Sequence, residues 1–317
     1  MKPTFTYSVL IFVLFLSGQI FGQKDIPNFY EIIEKKFADV IAQNSQGKSE
    51  KISKFDFQKI CPTKTSFAAQ KVFEEYGAIF AAGNGVALPA KCIFATEAEV
   101  TDFQKNMKIQ IELVGDYYVI LQTPAMQSLT NARKQAEQSG LSITPRARDN
   151  SRRSYLDTWS LWNSRLVPAL NYWKSKQKIS DLKFDEIRNS TIIDQITEVL
   201  KLEKEENIFF GPGFSSSILY SVAPPGSSQH ISLLAFDINE YADARVRRIL
   251  ADNGWHQTIF SDYPHFTYLG VKENELNSLG LREVRYGTYS FWMPNLSSNI
   301  RKNENPVGNE NIKESSE

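Results

Sequence analysis

The chain has 317 residues, enough for one large domain or two modest ones with proper cores. Lys+Arg and Asp+Glu balance at 36 each, which speaks against a nucleic-acid groove or a polybasic membrane patch. A content of 42% hydrophobic and 12% aromatic residues is that of an ordinary folded protein.

The chain opens with Lys2, an apolar run from Val9 to Leu16 and the stretch Ser17-Gly18-Gln19-Ile20-Phe21-Gly22. That order has the form of an export signal over residues 1–22, with cleavage expected near Gly22/Gln23. The run is short for a membrane span, although an uncleaved anchor is the competing reading. No cysteine stands at the cleavage point to take a lipid. In an oxidising compartment Cys61 and Cys92 are expected to form a disulfide, the alternative being two buried thiols.

Beyond the signal, Ile26 to Ala42 places Phe29, Ile32, Ile33, Phe37, Val40 and Ile41 at helical spacing. Asn44 to Lys51 is polar and reads as a loop, and Phe67 to Tyr76 as a helix. Ala78 to Leu88 is rich in small residues, and Gly83-Asn84-Gly85 there is a turn signal. Thr96 is a plausible N-cap for a helix over Glu97 to Met107. Lys108 to Leu121 alternates around Gly115-Asp116, the pattern of two strands and a turn. Helices are then expected over Ala125 to Ser139, closed by Gly140, over Tyr155 to Lys174 with Pro168 as a possible kink, and over Ile192 to Leu202. Leu141 to Thr144 reads as a short strand. Leu233 to Ile238 suits a buried strand, Ala242 to Asn253 a helix, Phe266 to Leu269 a strand and Glu273 to Leu279 a short helix.

Helices and strands do not alternate as βαβ units, so the expected class is α+β, a mostly antiparallel sheet flanked by helices. The expected organisation is a signal at 1–22, an N-terminal region at 23–120, a catalytic part at 121–296, and a polar, disordered tail at 297–317.

All three histidines lie close together, at His230, His256 and His265. Ser228-Gln229-His230 precedes Ala235-Phe236-Asp237, and Asp262-Tyr263-Pro264-His265-Phe266 comes after both. Two imidazoles and one carboxylate from separate segments fill three positions of a catalytic zinc and leave a fourth for water. Asp237 ends the apolar run Leu233 to Phe236, where an unpaired buried carboxylate is costly and a cation would stabilise it. His230, Asp237 and His265 are therefore the expected Zn2+ ligands. His256, beside Trp255, has no matching partner.

These residues resemble the motifs of the zinc D-alanyl-D-alanine carboxypeptidases and related peptidoglycan peptidases, a family that shares its fold with the Hedgehog signalling domain. Its first motif, Ser-x-His-x-x-Gly-x-Ala-x-Asp, is matched by Ser228, His230, Ala235 and Asp237. Its second, Glu-x-x-His followed by Trp or Phe, is matched by His265 and Phe266. The similarity runs from roughly Ala132 to Gly270, and Tyr220 to Gly226 looks like one exported bacterial subgroup. The resemblance implies a Hedgehog-type fold, zinc, and hydrolysis of a peptidoglycan stem peptide. It also implies that Asp262 stands where the family has its glutamate base, and that Leu233 replaces the motif glycine. An aspartate reaches roughly 1.5 Å less far than a glutamate. Glu240 is a fallback base.

The segment Arg152-Arg153-Ser154-Tyr155 resembles the family's Tyr-Arg-Ser-Tyr segment and puts Arg153 in the role of oxyanion stabiliser. Arg146, Arg148 and Arg152 compete for that role, and Arg148 and Arg152 suit a substrate that ends in a carboxylate. Ser228 would line the substrate pocket by the same resemblance. Two other readings stay open, a zinc-stabilised peptidoglycan-binding protein without turnover and an exported structural protein. The run Gly211 to Ser216 lacks the Gly-x-Ser-x-Gly order of a serine hydrolase.

Overall fold

The computed structural model describes residues 26–44, 56–83 and 85–296, with nothing said of side chains at 40–44. The expected signal at 1–22, the expected tail at 297–317 and Asn84 lie outside the described residues. The helices are α1 (Phe29–Asn44), α2 (Phe67–Tyr76), α3 (Glu97–Lys105), α4 (Thr123–Gln138), α5 (Tyr155–Ser175), α6 (Asp181–Asn189), α7 (Ile192–Glu206) and α8 (Ala244–Asp252). The strands are β1 (Ile109–Val114), β2 (Tyr117–Gln122), β3 (Ala235–Asp237), β4 (Trp255–His256), β5 (His265–Tyr268), β6 (Leu281–Tyr286) and β7 (Tyr289–Pro294).

Local chemistry starts most of these helices. Ser66, Thr96, Ser180, Thr191 and Asp243 each accept a first-turn N–H, and Ser154 forms a capping box with Asp157 at the start of α5. Each cap is worth roughly 0.5–2 kcal/mol. Pro168 sits inside α5 without ending it.

The chain is α+β, with small antiparallel sheets in place of one larger sheet: β1-β2, β3-β5-β4 and β6-β7. Leu141 to Thr144 forms no strand, and only Pro145 makes a lone bridge to Ile238. The carboxylate of Glu240 accepts from the Thr144 N–H and from the Thr144 and Ser142 hydroxyls, so side-chain bonds replace a ladder there. Glu273 to Leu279 is the short helix expected there, of the 3-10 type. The hairpin β6-β7 has no counterpart in the sequence pattern because Arg282, Glu283 and Arg285 make β6 look like a surface loop.

Among the described residues the apolar side chains gather into two large cores. Phe29, Phe57, Phe73 and Phe80 join β2, α4, α8 and the β3-β5-β4 sheet in the first. Trp162, Leu166, Val199 and Leu200 of α5 and α7 form most of the second. Helix α2 serves both, with Ala69 and Phe73 in the first core and Ala68, Val72 and Tyr76 in the second. Residues on both sides of 115–121 thus share each core. Cys61 and Cys92 form a disulfide, with Cα atoms 5.1 Å apart, that ties the segment before α2 to the segment before α3. No described helix is long and apolar enough to cross a membrane.

Candidate metal centre

The antiparallel register of β3 and β5 sets Asp237 directly opposite His265. The strand end is fixed from outside the sheet: the Asp237 N–H donates to the Asn150 carbonyl at 2.8 Å, and its own carbonyl accepts from the Arg146 N–H at 2.9 Å. His230 comes from the 3-10 turn Gln229–Ser232, which ends at Leu233 in the left-handed conformation (φ 56°). A left-handed backbone costs a residue with a side chain roughly 1–2 kcal/mol, which explains a glycine at this place in the resembled motif. This chain keeps the turn with a buried leucine, whose carbonyl accepts from the Gln122 N–H at 3.0 Å.

His230 Nε2 lies 3.2 Å from His265 Nδ1 and 3.3 Å from Asp237 Oδ1, and His265 Nδ1 lies 3.1 Å from that same oxygen. Ligand atoms about 2.0–2.1 Å from a tetrahedral zinc stand about 3.3 Å from one another, so the triangle has the size such an ion requires. Both imidazoles are buried, and the Asp237 side chain is 16% exposed.

The surrounding hydrogen bonds fix which nitrogen is bare. Gln229 donates from Nε2 to the Tyr76 carbonyl at 2.9 Å, which turns its Oε1 towards His265 Nε2, also at 2.9 Å. The Gln229 oxygen can only accept, so His265 Nε2 is the donor there and Nδ1 is the nitrogen turned to Asp237 and His230. His265 Nδ1 faces the Asp237 carboxylate at 3.1 Å, a contact that a cation or a proton between the two atoms stabilises. Burial, reinforced by the Arg153 charge, pushes the His230 pKa down to about 4, so its imidazole is neutral. Burial opposes ionisation of Asp237, but His230 and His265 outweigh it and hold its pKa well below the ordinary range. His230 Nδ1 is buried without a partner. Two imidazoles and one carboxylate form a donor set that suits zinc.

Arg153 donates from Nη2 to Asp237 Oδ2 at 3.2 Å, with Asp149 at 3.8 Å, and so fixes the carboxylate oxygen that does not face the histidines. Its Nε is buried and unpartnered. Asp262 follows Ser261, which is left-handed (φ 62°). Burial raises the Asp262 pKa, with Asp237 adding to the rise and His265 opposing it.

A cavity of about 190 Å³ opens on this cluster. Arg153, Ser228, His230, Asp237, Asp262 and His265 all line it, and Leu161, Leu219, Val222, Ala223 and Ile259 make an apolar wall. Arg148 and Arg152, expected at the substrate, do not line it. Arg152 is drawn away by Gln104, whose Oε1 accepts from its Nε at 3.0 Å, and Arg148 lies away from the cavity. Arg146 sits over the Tyr241 ring, Glu240 is engaged by Thr144, and His256 bonds the Val271 carbonyl. Sequence reasoning missed Tyr76, Gln229, Ser164 and Arg165. The last two share a helical face with Leu161, a spacing visible in the sequence but silent about what the face meets.

No protein-family model matches the chain, and no curated protein matches it. Among solved structures, the LdcB LD-carboxypeptidase, described as revealing the molecular basis of peptidoglycan recognition, aligns over 55% of this chain and 91% of its own, at 16% identity and a TM-score of 0.27. A likeness that loose carries no argument about function.

Proposed function

We propose that this chain is a zinc-dependent peptidase that hydrolyses an amide bond of peptidoglycan stem peptides, of the D-alanyl-D-alanine carboxypeptidase type. The observation behind this reading is the triangle of His230 Nε2, Asp237 Oδ1 and His265 Nδ1, 3.1–3.3 Å on each side, in a cavity that Asp262 and Arg153 also line. The order Ser228, His230, Asp237, Asp262, His265, which resembles that family's two motifs, supplies the substrate class.

Zinc held by the three ligands would acidify a water towards pH about 7 and polarise the scissile carbonyl. The chain's own residues do the rest. Asp262, made more basic by burial, takes a proton from the attacking water and passes it to the departing amine nitrogen. Arg153 holds Asp237 through one nitrogen and keeps further N–H groups for the negative charge that develops on the carbonyl oxygen. The apolar wall excludes water and suits a small side chain such as alanine. At about 190 Å³ the cavity is below the roughly 300–1,000 Å³ of sites that enclose a drug-sized ligand, so it accepts a short piece of a peptide. The substrate lies outside the cytoplasmic membrane, in keeping with the export signal read at 1–22 and with the Cys61–Cys92 disulfide.

The test is zinc quantification coupled to mass spectrometry of stem peptides incubated with the wild type and with Asp262→Ala. The expected result is stoichiometric zinc in both, and release of alanine that falls by about 10²–10⁴-fold in the variant. A second reading, a zinc-stabilised peptidoglycan-binding protein, is favoured by the shorter carboxylate at 262. Equal background release from both proteins, with zinc and peptide binding intact, would establish it and remove the peptidase.

A further inference from the structure

The two arginines that line the metal cavity differ in what holds them. Arg153 comes from the segment just before α5 and gives Nη2 to Asp237 Oδ2 at 3.2 Å. Arg165 comes from the middle of α5, one helical turn beyond Leu161. It is exposed, and no described residue hydrogen-bonds or ion-pairs with its guanidinium. A guanidinium in the wall of a binding cavity, with its N–H groups uncommitted, suits a carboxylate, which it can grip by two parallel hydrogen bonds.

The charge of the cavity points the same way. Arg153 and Arg165 offset Asp237 and Asp262, so the lining becomes positive once a divalent cation sits on the ligand triangle. An anionic group on the substrate is then attracted, and a neutral one is not.

Distance decides which carboxylate Arg165 meets. Helix α5 rises about 1.5 Å per residue, so Arg165 stands about 15 Å along the axis from Tyr155, the first helical residue after the Arg153 segment. Helical side chains lean towards the N-terminus, and an arginine reaches roughly 6 Å, which sets the guanidinium on the order of 10 Å from the ligand triangle. The terminal carboxylate of a peptide lies only about 4 Å from the last peptide carbonyl carbon, on the metal side of that gap. At about 3.5 Å per extended residue, the gap spans two to three residues.

We propose that Arg165 is a specificity residue that binds a carboxylate carried two or three positions before the bond that is cut. The assignment rests on the carboxypeptidase reading, in which a single residue follows the bond, so the acid lies on the amino side.

Pairs of synthetic peptides that end in D-Ala-D-Ala, with glutamate or glutamine at the second or the third position before the bond, test it. Zinc-loaded wild type and Arg165→Met are compared by kcat/KM, and binding is measured by calorimetry in the Asp262→Ala background. At one of the two positions the wild type should bind and cleave the glutamate peptide about tenfold better than its glutamine twin. Arg165→Met should bring the pair within about twofold, with zinc content and Tm unchanged because the guanidinium is exposed and bonds to no metal ligand. Cleavage without a preference for glutamate at either position overturns the assignment and leaves the peptidase standing, as does a preference that Arg165→Met retains. A glutamate preference in binding that Arg165→Met abolishes, without cleavage by the wild type, removes the peptidase and supports the role of Arg165. Binding of neither peptide overturns both.

Discussion

Gln229 is buried and does not line the cavity, yet it is the group that fixes which ring nitrogen of His265 turns to the cluster. Its Oε1 accepts from His265 Nε2 at 2.9 Å, the Thr267 hydroxyl bonds the same oxygen, and its Nε2 reaches the Tyr76 carbonyl at 2.9 Å. Gln229→Leu keeps the bulk and removes all of these bonds. It leaves His265 Nε2 with only the Thr267 hydroxyl, at 3.3 Å, and takes one of two donors from the Tyr76 carbonyl, which also caps the 3-10 turn Gly77–Ala81, so stability without metal should fall by about 1–2 kcal/mol. With the tautomer no longer enforced, zinc affinity should fall about 10–100-fold. Competition against a chromophoric chelator measures the affinity, and urea melts with and without zinc measure stability. Thr258→Val is the control: its hydroxyl lies 3.2 Å from Gln229 Oε1, and removing it should cost stability without moving zinc affinity. If Gln229→Leu is folded and binds zinc within about twofold of the wild type, the control of His265 by Gln229 is wrong.

Arg153→Met should leave Asp237 Oδ2 unpartnered and weaken zinc binding about tenfold or more, read by the same competition assay. Glu203 should make stability depend on pH. Burial raises its pKa to about 7, although Ser217, Ile218 and Phe210 donate to the carboxylate. The fold then holds a proton that the unfolded chain has released above about pH 4.3, so stability falls as pH rises from there to about 7, by at most about 4 kcal/mol. Urea melts at pH 5 and 7.5 should show this slope in the wild type, and Glu203→Gln should flatten it. Replacing Cys61 and Cys92 together by alanine opens a loop of sequence separation 31 and should cost about 3–4 kcal/mol, seen as a lower Tm.

The helix over 67–76, and that over 192–206 as far as Leu202, were legible because their signal is local, apolar residues at helical spacing. The candidate metal ligands were legible for a different reason. With only three histidines in the chain, an ordered His–Asp–His set leaves few combinations, and the segments around β3 and β5 both read as strands. The hairpin over 281–294 was not legible, because its charged outer positions hide the alternation that marks a strand.

Composition and order alone determined which atoms could bind a cation, since imidazole and carboxylate are the side chains with suitable lone pairs and few stand together here. The tertiary structure decided what faces them: Gln229, Tyr76, Arg153 and the α5 face meet the cluster only after segments as distant as residues 76 and 229 pack together. It also decided that Arg152 turns to Gln104 and Arg153 to Asp237. Neighbouring residues of one type are equivalent in a sequence, and only the direction in which each side chain leaves the backbone separates them.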